Sequence, residues 1–234
     1  MHTISKKNDT IIVNDDLKNE VSADWFEQSY WLNQGRLLGA NSGRGSAWVI
    51  KSEWGKWVLR HYFRGGLYAK INRDSYLWSG LKNTRAYREY MLLEKINSLG
   101  LPSAQPIAAK ITRHGLMYRN DLIMAHIPHD LTFAEAIGQE TYSKPNIWQQ
   151  IGHTIAQFHH NGIYHSDLNA HNILLSNNQV YLIDFDKGQV RTPHPSWQQA
   201  NMMRLKRSIE KISTSSCDGE LAPLWQSLMQ GYDA

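Results

Sequence analysis

The sequence predicts an α+β chain with two lobes, an N-terminal antiparallel β-sheet lobe with one helix and a reduced, mainly helical C-terminal lobe. Short runs of β-favouring residues, separated by glycine-containing turns, occupy much of the first half. One amphipathic segment with helical periodicity interrupts them, and helical periodicity dominates after Pro128. We place the boundary between the two lobes so that residues 1–125 form the first domain and residues 126–234 the second.

The N-terminal lobe is predicted from short strands around a single helix. Residues 1–30 show no clear periodicity and are expected to be irregular, with aromatic residues at 25–26 and 30–31 as packing anchors. Apolar residues of segment 83–99 share one helical face, and Gly100 is expected to end that helix. Strands are expected at 37–38, 47–50, 56–62, 107–112 and 121–125.

The C-terminal lobe is predicted to be mainly helical. Helices are expected at 131–137, 147–160 and 197–212, the second closed by a left-handed turn at Asn161-Gly162. The third is amphipathic, with apolar residues on one side and basic residues, among them Arg204, toward the other. The runs around 172–175 and 180–183 are strand-like.

The most informative segment is 164–187, in which two carboxylates and one amide accompany these strand-like runs. Asp167 and Asn172 stand five positions apart, and Asp184 follows twelve later at the end of an apolar run. Phosphoryl transfer needs a carboxylate to orient or deprotonate the attacking hydroxyl, and oxygen ligands that hold Mg²⁺. The three side chains supply such groups, which predicts a phosphotransferase. The alternative is that Asp167 and Asn172 are turn residues that cap a hairpin.

This segment resembles the catalytic core that protein kinases share with kinase-like small-molecule phosphotransferases. His165, Asp167 and Asn172 match the HxDxxxxN loop, and Asp184-Phe185-Asp186 matches DFG. The resemblance implies a bilobal protein-kinase-like fold that uses ATP and Mg²⁺. It further implies that Asp167 is the catalytic base and that Asn172 and Asp184 are metal ligands, while His165 is expected to support the loop.

Departures from the protein-kinase pattern point to a small acceptor. Asn169 stands where protein kinases carry a loop lysine, and Asp186 replaces the glycine of DFG. Only fifty residues follow Asp184, and no APE motif occurs among them. We therefore expect a small or lipid-linked hydroxyl acceptor rather than a protein. His171 has no clear role, and contact with substrate or packing within the loop are both open.

A glycine-containing loop is the candidate for the nucleotide phosphates. It runs from residue 39 to 46, between the first two expected strands, where the kinase-like fold covers the phosphates. Glycines allow backbone amides to approach an anion closely. Gly43, Gly45 and Ser46 are the predicted contacts, and an ordinary hairpin turn is the alternative.

Arg60 falls where kinases usually place a strand lysine, and it is predicted to contact the nucleotide phosphates. Its expected carboxylate partner is Glu89, on the following helix. A surface pair is the alternative, and Lys51 or Lys56 would be the equivalent if the register were shifted. Segment 122–127 resembles the hinge strand of kinases, so backbone groups of Met124, Ala125 and Ile127 are expected to bind the adenine.

Composition limits the cellular setting. The net charge is +4 with a sequence pI of about 9.1, which favours anionic partners. No apolar run is long enough for a signal peptide or a membrane span, and Cys217 is the only cysteine. These features favour a cytoplasmic protein with at most peripheral membrane contact. No nucleic-acid recognition motif is present, and the oligomeric state is not predicted.

Three stretches, 43–48, 59–67 and 165–172, are similar to those of the 3-deoxy-D-manno-octulosonic acid (Kdo) kinase family. The resemblance implies an ATP-dependent kinase that phosphorylates the 4-hydroxyl of Kdo on a lipid A precursor during lipopolysaccharide core biosynthesis. It implies peripheral association with the cytoplasmic face of the inner membrane, whose anionic surface would suit Arg64, Lys70, Arg73 and the basic residues near Arg204. The alternatives are another small-molecule kinase of the aminoglycoside or choline type, and a non-catalytic pseudokinase module that binds nucleotide.

Overall fold

The computed structural model describes residues 1–40, 47–64, 74–137, 139, 144–176, 179–213 and 221–234. The chain divides into two compact units. The first comprises Met1–Glu94 and Gln105–His126, and the second comprises Lys95–Ala104 and Ile127–Ala234. The short segment Lys95–Ala104 thus belongs to the second unit, although it precedes the predicted domain boundary after residue 125.

An antiparallel sheet dominates the first unit. Its described strands are β1 (His2–Lys6), β2 (Asp9–Val13), β3 (Leu37–Ala40), β4 (Ala47–Ser52), β5 (Gly55–His61), β6 (Tyr76–Leu77), β7 (Pro106–His114) and β8 (Met117–Ala125). They are hydrogen-bonded in the order β1-β2-β7-β8-β5-β4-β3, and β6 pairs with β8. Every predicted strand is present, and the long β7-β8 and β4-β5 hairpins form the centre of the sheet.

The prediction of an irregular N-terminus was wrong. β1 and β2 form a hairpin, and β2 pairs with β7 so that Ile12 and Val13 are fully buried. The short apolar run 11–13 is enough to form β2, because β7 supplies hydrogen-bond partners for its backbone and the core covers its side chains. A short helix, α1 (Gln28–Asn33), follows, so this unit holds more than the one helix expected.

The aromatic anchors pack as predicted in the core of the first unit. Trp25, Phe26 and Trp31 are buried, and Trp31 Nε1 donates a hydrogen bond to the Trp25 carbonyl over 2.7 Å. Trp57 of β5 packs against both tryptophans, with ring centroids 5.3 Å from Trp25 and 6.3 Å from Trp31. This cluster fixes the inner face of β5, the strand that ends near Arg60.

Helix α2 (Arg85–Ser98) is the long helix predicted after the first strands. Its start is fixed by Asn120 of β8, whose Oδ1 accepts a hydrogen bond from the Ala86 N–H over 2.8 Å. Gly100 follows the helix with a left-handed φ of 68°, as expected for a helix end. The side chain of Glu89, one turn into α2, is buried.

The second unit is mainly helical, as predicted, with two small sheets. Its helices are α3 (Phe133–Ala136), α4 (Pro145–His160), α5 (Pro195–Ser213) and α6 (Leu221–Asp233). Its strands are β9 (Leu131–Thr132), β10 (Ile163–Tyr164), β11 (Ile173–Ser176), β12 (Gln179–Leu182) and β13 (Gln189–Val190). Strands β12-β11-β9 form one sheet and β10-β13 the other. Among the residues that the structure describes, no helix is both long and apolar enough to cross a bilayer.

Helices α4 and α6 cross through two glycines. A Cβ at Gly152 would lie 1.9 Å from the Leu228 carbonyl oxygen, and one at Gly231 would lie 2.0 Å from the Gln149 carbonyl oxygen. These distances are far below van der Waals contact, so the two backbones approach each other as closely as they do only because neither position carries a side chain. The crossing holds α6 against the helix that precedes the candidate catalytic loop.

Candidate active site

The loop that carries the candidate catalytic residues begins at the end of α4. Gly162 adopts a left-handed φ of 72°, as predicted, and a Cβ there would lie 2.2 Å from the Arg191 carbonyl oxygen. The Arg191 N–H donates back to the Gly162 carbonyl over 2.7 Å, within the β10-β13 pair. The loop then runs through residues 165–169 and the 3₁₀ turn Ala170–Asn172 into β11.

His165 supports this loop from inside the second unit. Its ring Nε2 donates to the Ile183 carbonyl over 2.9 Å, and its Nδ1 accepts from the Asp167 N–H over 3.1 Å. Since Nδ1 is an acceptor, the imidazole is neutral with its proton on Nε2, and burial lowers the pKa of His165 accordingly. One neutral ring therefore ties the backbone of Asp167 to the residue that precedes Asp184, which is the supporting role predicted for it.

Asp167 presents its carboxylate to solvent, with 58% of the side chain exposed. Arg204 of α5 donates from Nη1 to Oδ1 over 2.8 Å, and Asn169 donates from Nδ2 to Oδ2 over 3.2 Å. Each carboxylate oxygen thus has one hydrogen-bond donor fixing its direction, and lone pairs remain for a hydroxyl. This arrangement suits a base that must be accessible and oriented, and the catalytic role of Asp167 stays a prediction.

Asn172 and Asp184 are joined by the β11-β12 hairpin. The Ile183 N–H donates to the Asn172 carbonyl over 3.0 Å, next to the paired residues Ile173 and Leu182. The Asn172 amide nitrogen donates to the Asp167 carbonyl over 3.0 Å, which leaves Oδ1 as the atom suited to a cation. One amide oxygen and one carboxylate are ligands that Mg²⁺ accepts together with waters and phosphates.

The backbone around Asp184 is held in an uncommon conformation. Asp184 has a φ of 62°, in the left-handed region that residues other than glycine rarely adopt. Phe185 beside it is fully buried, with its ring stacked at 5.6 Å on Phe158 and at 4.8 Å from His165. The Ser166 hydroxyl donates to the Asp186 carbonyl over 2.5 Å. Such strain persists where surrounding contacts fix it, and it concentrates at functional sites.

The first unit contains the predicted pair of Arg60 and Glu89. Arg60 Nη1 lies 3.0 Å from Glu89 Oε1, and the two side chains are 18% and 1% exposed. Tyr62, the residue that follows β5, donates its hydroxyl to Glu89 Oε2 over 2.5 Å. Lys51 and Lys56 lie opposite each other in the β4-β5 hairpin and are exposed, whereas the Arg60 guanidinium lies beside the Glu89 carboxylate. That Arg60 takes the place of the strand lysine stays a prediction, which this ion pair supports. The contact of Arg60 with phosphate also stays a prediction.

The remaining predicted nucleotide contacts are only partly described. Met124 and Ala125 end β8 in the first unit, and Ile127 begins the second unit's main segment. The Ala125 N–H donates to the Gln105 carbonyl over 2.8 Å, so this amide is already engaged within the first unit. Gly43, Gly45 and Ser46 lie outside the described residues. The binding roles of all these residues stay predictions.

Three contacts at the site did not follow from the sequence. The strand expected at 56–62 includes Tyr62, but the sequence does not indicate that its hydroxyl contacts Glu89. Arg204 was assigned to a basic stripe, whereas the structure places its guanidinium on Asp167. Arg85 stacks between the rings of Tyr62 and Tyr76, at 5.1 and 5.2 Å from their centroids.

Comparisons with known proteins identify the family. The family model described as "Lipopolysaccharide kinase (Kdo/WaaP) family" matches residues 28–232. The 3-deoxy-D-manno-octulosonic acid kinase of Stenotrophomonas maltophilia (strain R551-3) is 39% identical over 215 residues, 92% of this chain and 85% of the relative. The enzyme of the same name from Vibrio cholerae is 36% identical, covering 90% of this chain and 89% of the relative.

A solved structure supports the fold. WaaP in complex with acyl carrier protein is similar over 95% of this chain and 99% of that chain, with a TM-score of 0.54 and 13% identity. At this identity the likeness shows the fold alone, and it confirms the predicted kinase-like α+β architecture. The family model and the two relatives show that the chain belongs to the lipopolysaccharide kinase (Kdo/WaaP) family, which confirms the predicted phosphotransferase acting on a hydroxyl group.

Proposed function

We propose that the protein transfers the γ-phosphoryl group of ATP to the 4-hydroxyl of a Kdo residue on a lipid A precursor, within lipopolysaccharide core biosynthesis. The observation that carries the chemistry is the hydrogen-bonded group in which Asp167, Asn172 and the residue before Asp184 are joined. The acceptor is proposed from the names of the relatives, which are 3-deoxy-D-manno-octulosonic acid kinases.

In the proposed reaction, Asp167 accepts the proton of the attacking sugar hydroxyl. The hydroxyl oxygen forms a bond to the γ-phosphorus while the bond between that phosphorus and the bridging oxygen breaks, and ADP leaves. The exposure of Asp167 makes it accessible to a sugar on a lipid carrier. The donors on both carboxylate oxygens hold it in one orientation, as proton transfer in a near-attack geometry requires.

We propose Asn172 Oδ1 and the Asp184 carboxylate as the protein ligands of Mg²⁺. The fit rests on the donor set and on the hydrogen bond that joins their backbones through Ile183. When bound, the ion supplies positive charge that neutralises the phosphate oxygens during transfer. The neutral His165 keeps the two backbone segments in place without adding a charge of its own.

Arg60 is the proposed contact for the ATP phosphates in the first unit. Its guanidinium is anchored by Glu89, and a planar guanidinium can address two phosphate oxygens where a lysine addresses one. The loop of Gly43, Gly45 and Ser46 is proposed to add backbone amides to the phosphates. Backbone groups near Met124, Ala125 and Ile127 are proposed for the adenine.

The central experiment incubates the purified protein with Kdo-containing lipid A precursor, ATP and Mg²⁺, and analyses the lipid by mass spectrometry. We expect addition of one phosphate to the Kdo residue. In Asp167→Asn, kcat should fall roughly 10²–10⁴-fold while ATP binding is kept. The exposed Asp16→Asn is the matched control. Phosphate transfer only to an aminoglycoside or choline-type acceptor, or ATP binding without transfer, would refute the proposal.

We also propose peripheral association with the cytoplasmic, anionic face of the inner membrane. The net charge of +4 supports it. Arg64, one of the proposed membrane contacts, lies over the Tyr76 ring at 5.1 Å. Each cation near an anionic surface contributes about 1 kcal/mol. Lys70 and Arg73 lie outside the described residues. Sedimentation with phosphatidylglycerol vesicles at low salt should retain the protein, and phosphatidylcholine vesicles should not. Equal failure with both would refute the association.

A further inference from the structure

One face of α5 contacts the candidate catalytic loop. Asn201, 2% exposed, accepts a hydrogen bond at Oδ1 from the His165 N–H over 3.3 Å. One turn further along the helix, Arg204 donates from Nη1 to Asp167 Oδ1 over 2.8 Å. The helix therefore contacts the loop at two points, at His165 directly after β10 and at the Asp167 carboxylate.

A third contact extends this face by another turn. Ser208 accepts at its hydroxyl oxygen from the Ala170 N–H over 3.2 Å. Asn201, Arg204 and Ser208 are spaced by three and then four positions, which places their side chains on one face of an α-helix. Successive turns of α5 thus contact the loop at residues 165, 167 and 170 in turn, so one face of the helix follows the path of the loop.

The central contact supplies a positive charge that the loop itself lacks. Residues 165–172 include no lysine or arginine, and Asn169 stands two positions after Asp167. Asn169 donates to Asp167 Oδ2 and brings no charge. The positive charge beside the aspartate comes instead from Arg204, 37 positions away on α5.

We propose that Arg204 is a positioning residue for the catalytic base, supplying from α5 the cation that the loop of this chain lacks. The inference rests on the proposed function of Asp167. Arg204 fixes one oxygen of the carboxylate while Asn169 fixes the other, which defines the direction of the lone pairs that receive the hydroxyl proton. Because one nitrogen makes the contact, a lysine at this position can reproduce part of it.

The exposure of the Arg204–Asp167 ion pair distinguishes a positioning role from a role in folding stability. The side chains of Arg204 and Asp167 are 49% and 58% exposed, and ion pairs this exposed contribute little to folding stability. A displacement of about 1 Å at the reacting groups, in contrast, can reduce turnover by roughly 10²-fold. Removing the guanidinium should therefore change kcat far more than it changes the melting temperature.

The test compares Arg204→Gln, Arg204→Lys and Arg207→Gln in the Kdo phosphorylation assay with detergent-dispersed acceptor. Arg207 is exposed on the same helix, and Arg207→Gln removes one positive charge just as Arg204→Gln does. We expect Arg204→Gln to lower kcat about 10–100-fold with KM for ATP within about twofold, and Arg204→Lys to recover part of the loss. Arg207→Gln should match the wild type. Equal effects of the two glutamine variants, or a kcat within about twofold of wild type, would overturn the inference.

A double-mutant cycle tests whether Arg204 acts through Asp167. In the Asp167→Asn background, Arg204→Gln should cost little further activity, because the group that it orients is already removed. A full additional loss would mean that Arg204 acts on substrate independently, which refutes positioning. If the wild type leaves Kdo unphosphorylated, the proposed function fails, whatever the variants do.

Amide hydrogen exchange gives a readout that needs no activity. Arg204→Gln should speed exchange in peptides covering residues 164–172 and leave the peptides of α5 unchanged. Arg207→Gln should leave both sets unchanged. Unaltered exchange in the loop of Arg204→Gln would overturn the positioning role even if turnover fell.

Discussion

Acid should destabilise the second unit through His159, a buried histidine near the candidate site. His159 is 1% exposed, its Nδ1 lies 2.7 Å from the Tyr232 hydroxyl, and its Nε2 lies 3.4 Å from Asn201 Oδ1. Burial lowers the pKa of His159 from its ordinary 6.5 to about 4. The folded protein therefore keeps this ring neutral at pH values where the unfolded chain protonates it.

The direction and size of the effect follow from that difference in pKa. Between pH 6.5 and 4 the unfolded chain binds more protons at His159 than the folded chain, so stability falls as the pH falls through this window. Full stability is present above pH 6.5. The total loss below pH 4 is about 3 kcal/mol, of which about 2 kcal/mol is lost between pH 7 and 5.

The assay compares urea unfolding of the wild type with that of His159→Gln at pH 7 and pH 5, followed by circular dichroism. Glutamine keeps a donor and an acceptor but does not titrate, so its free energy of unfolding should lose about 2 kcal/mol less over this range. Other groups, including the buried His165, titrate in both proteins and cancel in the difference. Equal losses in the two proteins would refute the reasoning.

Three further predictions concern particular contacts. Glu89→Gln removes the negative charge that anchors Arg60 and should weaken ATP binding about tenfold; an unchanged affinity by calorimetric titration would contradict this. Gly231→Ala places a methyl group against a carbonyl oxygen of α4 and should lower the free energy of unfolding by about 1–3 kcal/mol. Gln226→Ala, exposed on the same helix, should change it little, and equal unfolding midpoints would count against the close crossing. Asn172→Ala should raise the Mg²⁺ concentration for half-maximal rate about tenfold, and a rate titration that shows no shift would remove Asn172 from the metal site.

The catalytic segment can be predicted from the sequence because its geometry is local. His165, Asp167 and Asn172 lie on one short loop, and the hairpin that follows returns the chain to bring Asp184 beside Asn172. Strand pairing over so short a distance leaves few alternative arrangements. The pair of Arg60 and Glu89 was also predictable, because the resemblance fixes the positions of both.

Contacts between distant segments are not visible in the sequence. Helical periodicity identifies the apolar side of α5 but does not indicate which loop its polar residues meet, so the contact of Arg204 with Asp167 was missed. Helix α6 was not predicted, and Pro223 and Gly231 within it argue against a helix in isolation. Pro223 lies in the first turn of α6, where a backbone N–H would have no partner within the helix. Gly231 is required by the close crossing with α4.

The N-terminal hairpin shows the same limit for strands. His2–Lys6 alternates only weakly and its residues are mostly exposed, so no pattern distinguishes it from coil. Its pairing follows from β2, whose own conformation depends on β7 about one hundred residues later. Sequence-based reasoning assigns such edge strands poorly because tertiary pairing decides them.

The left-handed backbone of Asp184 restricts which amino acids can replace it during divergence. Asparagine and glycine tolerate that φ, whereas alanine or a β-branched residue adds steric cost to the loss of the carboxylate. With Asp184 as the proposed metal ligand, homologues that have lost catalysis are expected to carry Asn or Gly before the residue equivalent to Phe185. On the same proposal, Asp184→Asn should give an inactive variant with less disturbance of the backbone than Asp184→Ala.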